Sequence, residues 1–393
     1  TLFGKNLRMK KIAVVTGSRA EYGNIYLLLK KIQESKDLEL LFYVTGMHLL
    51  EKYGNTIELI KKDNVPIHKI IPMYPKEDIT SSETLGNAIG LAIQGFTNSF
   101  HNDKPDLLLI PGDRFEIFSA VIAAASLNIP VAHLQGGDSA ESSQVDERIR
   151  HSISKFAHLH FPACKSSAER LKKMGEEEWR IHNVGGVSLD QIYEMQLLEK
   201  EIIFKKLGLD IDKTTALCIY HPYIPEAENA GNQMEEILTA LSQMDLQTII
   251  FYPNNDLGSD KIIQVIESKR KVKNFKIFKN IPRFDYLSIL KNIDLFIGNS
   301  SSGIVEVPTF KLPFLNIGPR NKGRETGINT INITTINAEN IKFEIKRGLS
   351  EEFKLICQKT VNPYGNGKAS EKIVKILEDL KIDKRFTSKI LTY

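Results

Sequence analysis

The chain is poor in cysteine, with three among 393 residues, Cys164, Cys218 and Cys357, far apart in sequence. An odd, scattered set provides neither a disulfide framework nor a CxxC metal or redox motif, which fits a reducing cytoplasm. Long apolar runs are missing as well. No window approaches the roughly 18 to 20 apolar residues of a membrane span. The stretch Ile12–Val15, behind the basic start TLFGKNLRMKK, is too short for the core of a signal peptide. No membrane partner is expected. Excess charge of one sign is absent: 52 Lys and Arg against 48 Asp and Glu leave a net +4. That balance gives no support to nucleic-acid binding, so an anionic partner has to be held by local groups. Repeats, low-complexity tracts, a Walker A sequence, a complete GxGxxG and the HxxxH or HExxH spacings are all lacking. The expectation is no obligatory metal and no dinucleotide cofactor.

What is present is an ordinary globular composition, 42% hydrophobic and 25% charged, in a length that predicts two domains. Short β-branched or aliphatic runs alternate with longer amphipathic segments, the signature of βαβ units and a parallel sheet. In the first half the strand candidates are Ile12–Thr16, Glu39–Thr45, Pro66–Ile71, Leu107–Ile110, Pro130–Leu134, Leu159–Phe161 and Ile181–Val184. The second half repeats the rhythm with Ala216–Tyr220, Thr248–Tyr252, Phe275–Phe278, Leu295–Ile297 and Pro313–Ile317. The fold class expected is α/β, with two doubly wound Rossmann-like domains, residues 1–185 and 186–369, divided at the pair Gly185–Gly186. Nearly every strand ends in a polar or glycine-rich turn. Ligands of open parallel sheets bind at those carboxyl ends, so two such domains facing each other would form a cleft.

The turn Gly17–Gly23 (GSRAEYG) follows a strand and opens a helix, so its N–H groups and Arg19 can meet an anion. The same residues also fit a plain βα turn with a solvated arginine. Gly298-Asn299-Ser300-Ser301-Ser302-Gly303 offers small residues and hydroxyls in a similar position, a phosphate cradle with Glu306 about one turn into the helix. A serine N-cap with a nearby glutamate, a capping box, is the alternative. His221, before Pro222, is either a second phosphate donor or a structural histidine. Acidic groups gather at strand ends of the first half: Asp113 in PGDR, Asp138 in QGGD, Glu141, then Asp146 and Glu147 beside Arg148, Arg150 and His151. Proton abstraction from carbon needs a positioned carboxylate or imidazole and a second group on the opposite face. Asp113 fits best, since it directly follows an apolar strand and a Pro-Gly turn. The run 146–150 also reads as a solvated, ion-paired helical face.

Taken in order, TGSRAEYG, YVTGMHLLEKYG, PGDRFE, the GGD followed by VDERIRHSISKFAHLHFPA, YHP, YPNNDLGS, GNSSSGIVE and NPYGNGKAS resemble the hydrolysing UDP-N-acetylglucosamine 2-epimerases of sialic acid and related nonulosonic acid biosynthesis. The resemblance implies the two-domain glycosyltransferase-B fold, with the segment 370–393 packing back on the first domain. It implies a nucleotide-sugar partner, UDP-N-acetylglucosamine or the UDP-2,4-diacetamido-2,4,6-trideoxy sugar that leads to legionaminic acid, a homodimer or homotetramer, and no cofactor. The reaction implied is loss of UDP from C1 and a proton from C2, giving a glycal, then hydration to the free 2-epimerised sugar. By the same resemblance Asp113 and Asp146 match catalytic acids, with Glu147 and Arg150 alongside. Arg19, His221, Ser301, Ser302 and Gly303 meet the diphosphate, Glu306 holds the ribose, and Asn254 and Arg283 lie near the nucleotide.

One position departs. The residue before Gly136-Gly137 is a glutamate in some relatives and is Gln135 here, and an amide transfers no proton at ordinary pH. Either Asp138 or Glu141 substitutes, or Gln135 orients water or substrate. The alternatives left are a non-hydrolysing epimerase or a glycosyltransferase of the same fold, and a nucleotide-sugar sensor without turnover. Free UDP among the products separates them.

Overall fold

The computed structural model describes residues 8–50, 56–74, 82–140, 145–253 and 256–393. Its contacts divide the chain into two units: Thr1–Asp138 with Val145–Gln191 and Gly367–Tyr393, and Ser139–Gln144 with Ile192–Asn366.

Unit 1 is built on six parallel strands, β1 (Lys10–Thr16), β2 (Leu38–Thr45), β3 (Lys69–Ile71), β4 (Leu107–Pro111), β5 (Val131–Leu134) and β6 (Leu159–Phe161), in the order β3-β2-β1-β4-β5-β6. The aliphatic runs that mark β1, β4 and β5 are buried because helices cover both faces of the sheet. On one face the helix Arg19–Glu34 buries Ile25, Leu28, Leu29 and Ile32, and Ile373 and Leu377 of the helix Ala369–Asp379 join the same core. Each such side chain contributes about 1.5–3 kcal/mol. The opposite face packs against Phe96 and Phe100 and against Ile117, Ala120, Val121 and Ala124 of the helix Phe115–Ser126. Polar groups fix the returning segment: Asp190 accepts from the Ala369 and Ser370 amides at 3.0 and 2.6 Å. Lys10 Nζ donates to the carbonyls of Leu377, Glu378 and Leu380 at 2.6–2.8 Å.

Unit 2 repeats the design with β7 (Thr215–Ile219), β8 (Gln247–Phe251), β9 (Phe275–Phe278), β10 (Leu295–Gly298), β11 (Phe314–Ile317) and β12 (Thr330–Ile333), in the order β12-β11-β10-β7-β8-β9. Numbered within its own unit, each sheet has the Rossmann order 3-2-1-4-5-6. The topological switch point falls between β1 and β4 in unit 1, and between β7 and β10 in unit 2.

Two strand assignments differ from the sequence reading. Ile181–Val184 is not a strand: only Ile181 forms an isolated bridge, to His160, and Gly185 at φ 97° turns the chain away. Conversely β12 is a strand that no aliphatic run in the sequence announces. Its sequence, Thr-Ile-Asn-Ile, alternates polar and apolar residues on a sheet edge and lacks a continuous aliphatic run. Among the described residues no helix is long and apolar enough to cross a membrane, and no group of three or more His, Cys, Asp or Glu side chains gathers as for a metal. All three cysteines are free and buried.

Candidate functional site

At the switch point of unit 1, Gly112 takes a left-handed φ of 75° and the chain turns to present Asp113 beyond the end of β4. Its carboxylate accepts from Arg150 Nη2. Arg150 Nη1 donates to Glu147 Oε2 at 2.6 Å and to the Asp138 carbonyl at 3.3 Å. Both Glu147 and Arg150 come from the helix Val145–Phe156, where spacings of three and four bring side chains onto one face, and His151 Nε2 lies 3.1 Å from the second Glu147 oxygen. The Arg150 side chain is 9% exposed and pairs with two carboxylates; burial works against its charge, but the charges of Asp113, Asp138 and Glu147 together hold its pKa above the ordinary value. Asp146 stands in the first turn of the same helix, where the helix dipole favours a carboxylate.

Gln135 sits at the end of β5 at φ 62°, and its backbone N–H donates to the Phe161 carbonyl at 2.9 Å. The glycines after it are needed for close packing. A Cβ on Gly137 would stand 2.3 Å from the Ser167 carbonyl oxygen. Beneath this turn lies His133, fully buried. Its Nε2 is 2.9 Å from the Gly112 carbonyl and its Nδ1 3.1 Å from the Ser154 hydroxyl. A carbonyl only accepts, so Nε2 carries the proton and Nδ1 accepts. Burial holds His133 down to about 3, which keeps it neutral.

A second pair of acids underlies the turn after β1. Glu21 Oε2 accepts from the amides of Gly17 and Ser18 at 2.7 and 3.0 Å, completing a capping box with Ser18. Glu116 accepts from Arg114 Nε at 3.3 Å and from the Tyr74 hydroxyl at 3.0 Å. Burial, and then the neighbouring Glu116 charge, push Glu21 up to about 8. Arg19 opens the helix above them, half-buried, with burial lowering its pKa.

At the switch point of unit 2 the loop after β10 is set by backbone contact. Gly298 has φ 136°, and a Cβ there would lie 1.9 Å from the Ile219 carbonyl oxygen at the end of β7. The Asn299 side chain then pairs with the His221 backbone, accepting from its amide at 2.7 Å and donating to its carbonyl at 2.8 Å. The Asn299 carbonyl takes Asn321 Nδ2 at 3.0 Å and Arg320 Nη1 at 3.2 Å. Ser300 caps the short helix Ser301–Val305, Ser301 is exposed, and Gly303 is buried against the Phe314 ring. Ser302 Oγ donates to Glu306 Oε2 at 2.5 Å and contacts the Tyr286 hydroxyl, while Arg283 pairs with Glu306 Oε1. Only the serine half of the capping-box alternative is present, since Glu306 turns to Arg283 and Ser302. Asn254 lies outside the described residues.

The structure thus brings together Asp113, Glu147 and Arg150 with the Asp138 carbonyl in unit 1, and Arg283, Ser302 and Glu306 in unit 2, where Asn299 ties His221 to the loop. Asn299 belongs to the cradle read from sequence, but His133, Glu21, Glu116, Tyr286 and Asn321 are not marked there as site residues. Only Glu21 had a local signal, the Ser-x-x-Glu spacing at 18 and 21.

Two Rossmann-like units, one with a guanidinium-bridged carboxylate cluster and one with a serine-lined strand-to-helix loop at its switch point, make up the two-domain α/β architecture of the glycosyltransferase-B fold. Comparison with known proteins gives the family. The UDP-N-acetylglucosamine 2-epimerase family profile matches residues 30–378. The UDP-N,N'-diacetylbacillosamine 2-epimerase (hydrolyzing) of Legionella pneumophila is 38% identical over 388 residues, which cover 98% of this chain and 100% of that protein. The GDP/UDP-N,N'-diacetylbacillosamine 2-epimerase (hydrolyzing) of Campylobacter jejuni is 36% identical over 348 residues, 88% of this chain and 89% of that one. In fold, the chain is similar to the crystal structure of UDP-GlcNAc 2-epimerase from Neisseria meningitidis bound to UDP-GlcNAc, with a TM-score of 0.79 at 17% identity, covering 93% of this chain and 99% of that one. The chain belongs to the UDP-N-acetylglucosamine 2-epimerase family.

Proposed function

We propose that this enzyme is a hydrolysing 2-epimerase that converts UDP-N,N'-diacetylbacillosamine, a 2,4-diacetamido-2,4,6-trideoxy sugar nucleotide, into UDP and the free 2-epimerised sugar. The observation that carries this reading is the Asp113–Arg150–Glu147 cluster at the switch point of unit 1. The substrate class is supported by the two hydrolysing relatives at 38% and 36% identity.

In this mechanism the C1–O bond breaks ahead of the C2–H bond, because the C2 hydrogen is only weakly acidic. The bonding pair leaves with UDP, and groups aimed at the diphosphate stabilise the charge that develops there. Arg19, His221, Ser301, Ser302 and the amide of Gly303 fill that role. Glu306, fixed by Arg283 and Ser302, keeps lone pairs for ribose hydroxyls, with Arg283 and Asn254 near the nucleotide. Positive character at C1 is met by the carboxylates of unit 1, one of which removes the C2 proton to leave the glycal. Water then adds at C1, and a proton returns to the other face of C2. Asp113 and Asp146 do the proton work, Arg150 holds Asp113 and Glu147 in register, and Gln135 and Asp138 orient water or sugar. No metal or cofactor takes part. The proposal places the enzyme in the cytoplasm as a homodimer or homotetramer, in nonulosonic acid biosynthesis.

The test is proton and phosphorus NMR in D2O with a chelator, run on UDP-N,N'-diacetylbacillosamine and on UDP-N-acetylglucosamine. Free UDP with a C2-deuterated, 2-epimerised sugar from the first substrate supports the reading. The same products from UDP-N-acetylglucosamine alone would reassign the substrate. Retention of UDP on the epimerised sugar would make the enzyme non-hydrolysing, and binding without turnover would make it a sensor.

A further inference from the structure

The helix Val145–Phe156 carries Asp146, Glu147 and Arg150 in its first half, and its other end is held by a residue more than two hundred positions away. The last carbonyls of a helix have no partner within it and need donors from elsewhere. Lys389 Nζ supplies them, donating to the carbonyls of Lys155 and Ala157 at 2.7 Å and of Ser154 at 3.2 Å. The same ammonium lies 2.7 Å from Glu176 Oε2. Glu176 is fully buried and also takes Lys155 Nζ and His160 Nε2, each at 2.9 Å. A cation among these carbonyls is favoured by the helix dipole as well as by hydrogen bonding.

The segment bearing Lys389 is itself anchored. Arg180, fully buried, donates to the carbonyls of Phe386, Arg385 and Ser388 at 2.7, 3.2 and 3.1 Å. The Thr392 amide donates to the Gly175 carbonyl at 3.2 Å. Ser154, whose carbonyl Lys389 holds, is also the hydroxyl partner of His133, which donates to the Gly112 carbonyl beside Asp113. Lys389 therefore meets the Asp113 site by two routes, through the helix to Arg150 and through Ser154 and His133 to the turn.

We infer that Lys389 is a positioning residue for the epimerase reaction: by closing the end of the helix Val145–Phe156 it fixes where Glu147 and Arg150 stand against Asp113. The inference rests on the reading of that cluster as catalytic. It requires a local effect, in which the helix end loosens, the reacting groups lose register and nucleotide binding in unit 2 is unaffected.

The experiment compares full-length wild type with Lys389→Met, Lys389→Arg and the double variant Lys389→Met/Glu176→Gln. Lys389→Met is expected to lower kcat about tenfold or more with KM within about twofold, since small displacements of reacting groups cost rate before binding. Amide exchange over residues 150–156, read without substrate, is expected to rise about tenfold, and Lys389→Arg to restore both readouts. The double variant leaves no unpaired buried carboxylate, so it is expected to fold while retaining the loss of kcat. Unchanged exchange over 150–156, kcat of Lys389→Met within twofold of wild type, or wild-type kcat in the double variant would each overturn the inference. If wild type releases no UDP from either nucleotide sugar, the functional reading fails, and the exchange measurement still decides the role of Lys389.

Discussion

Arg150 and Asp113 are 37 residues apart in sequence and share an ion pair at the carboxyl end of the unit 1 sheet, with the other nitrogen of the same guanidinium on Glu147. One cation thus keeps two carboxylates side by side that would otherwise repel each other. Removing one partner of a well-buried pair costs about 3–5 kcal/mol, because it strands the opposite charge. Asp113 is 23% exposed, so water recovers part of that cost. Arg150→Met is expected to lose about 2 kcal/mol of stability by urea unfolding and to lower kcat about a hundredfold or more. Wild-type turnover in Arg150→Met would remove the cluster from the mechanism.

Asp113 is the group whose loss should separate chemistry from binding. Asparagine preserves its size and its acceptor oxygen for Arg150 while abolishing the carboxylate. Acid–base groups contribute about 10²–10⁴ in rate. Asp113→Asn is therefore expected to lower kcat by that range while the Kd for UDP, measured by calorimetry, stays within about twofold. A Kd that weakens in step with kcat would show that Asp113 binds rather than reacts.

How far the sequence could be read follows from what each residue answers to. Leu107–Ile110 and Leu295–Ile297 announce buried parallel strands because both faces are covered and every position is apolar. Thr330–Ile333 does not, because at an edge alternate residues meet water. Asp113 stood out for its place after an apolar strand, and Ser300–Ser302 for theirs between a strand and a helix. Tyr286 and Asn321 were silent, since each acts through a partner on another element, Ser302 and the Asn299 carbonyl. His133 was hidden differently: inside the strand VAHL it looks like any core residue, and only the fold shows Gly112 and Ser154 on either side of its ring.

In unit 2, Glu306 is held from two sides by Arg283 and Ser302, an arrangement that fixes an acceptor for ribose hydroxyls. Glu306→Gln keeps the side chain's shape but loses the charge that orders Arg283. A hydrogen bond involving a charged group contributes about 1.5–3 kcal/mol, so the Kd for UDP should rise about tenfold or more. The Kd of the nucleotide for Tyr286→Phe, which removes one neutral hydroxyl contact to Ser302, should rise only a few-fold. Equal effects from the two variants would argue that the serine loop, not the carboxylate, holds the nucleoside.

Glu21 makes stability depend on pH in a direction opposite to that of ordinary surface acids. Burial, and then Glu116, push its carboxyl up from 4.5 to about 8, so the native protein keeps a proton that the unfolded chain releases. Between those values the folded state binds more protons than the unfolded state, and stability falls as pH rises. The contribution is complete below pH 4.5 and gone above about 8. Neutral His133, held down to about 3 by burial, acts the other way below 6.5, where the unfolded chain takes up a proton and stability falls with acid. Glutamine at position 21 keeps an acceptor for the Gly17 and Ser18 amides and cannot ionise. Glu21→Gln should therefore match wild type near pH 5 and exceed it by on the order of 2 kcal/mol at pH 8.5, measured by urea unfolding across the range. A stability difference that does not change with pH would mean that Glu21 is ionised in the native protein across this range, the nearby Arg114 charge outweighing burial and Glu116.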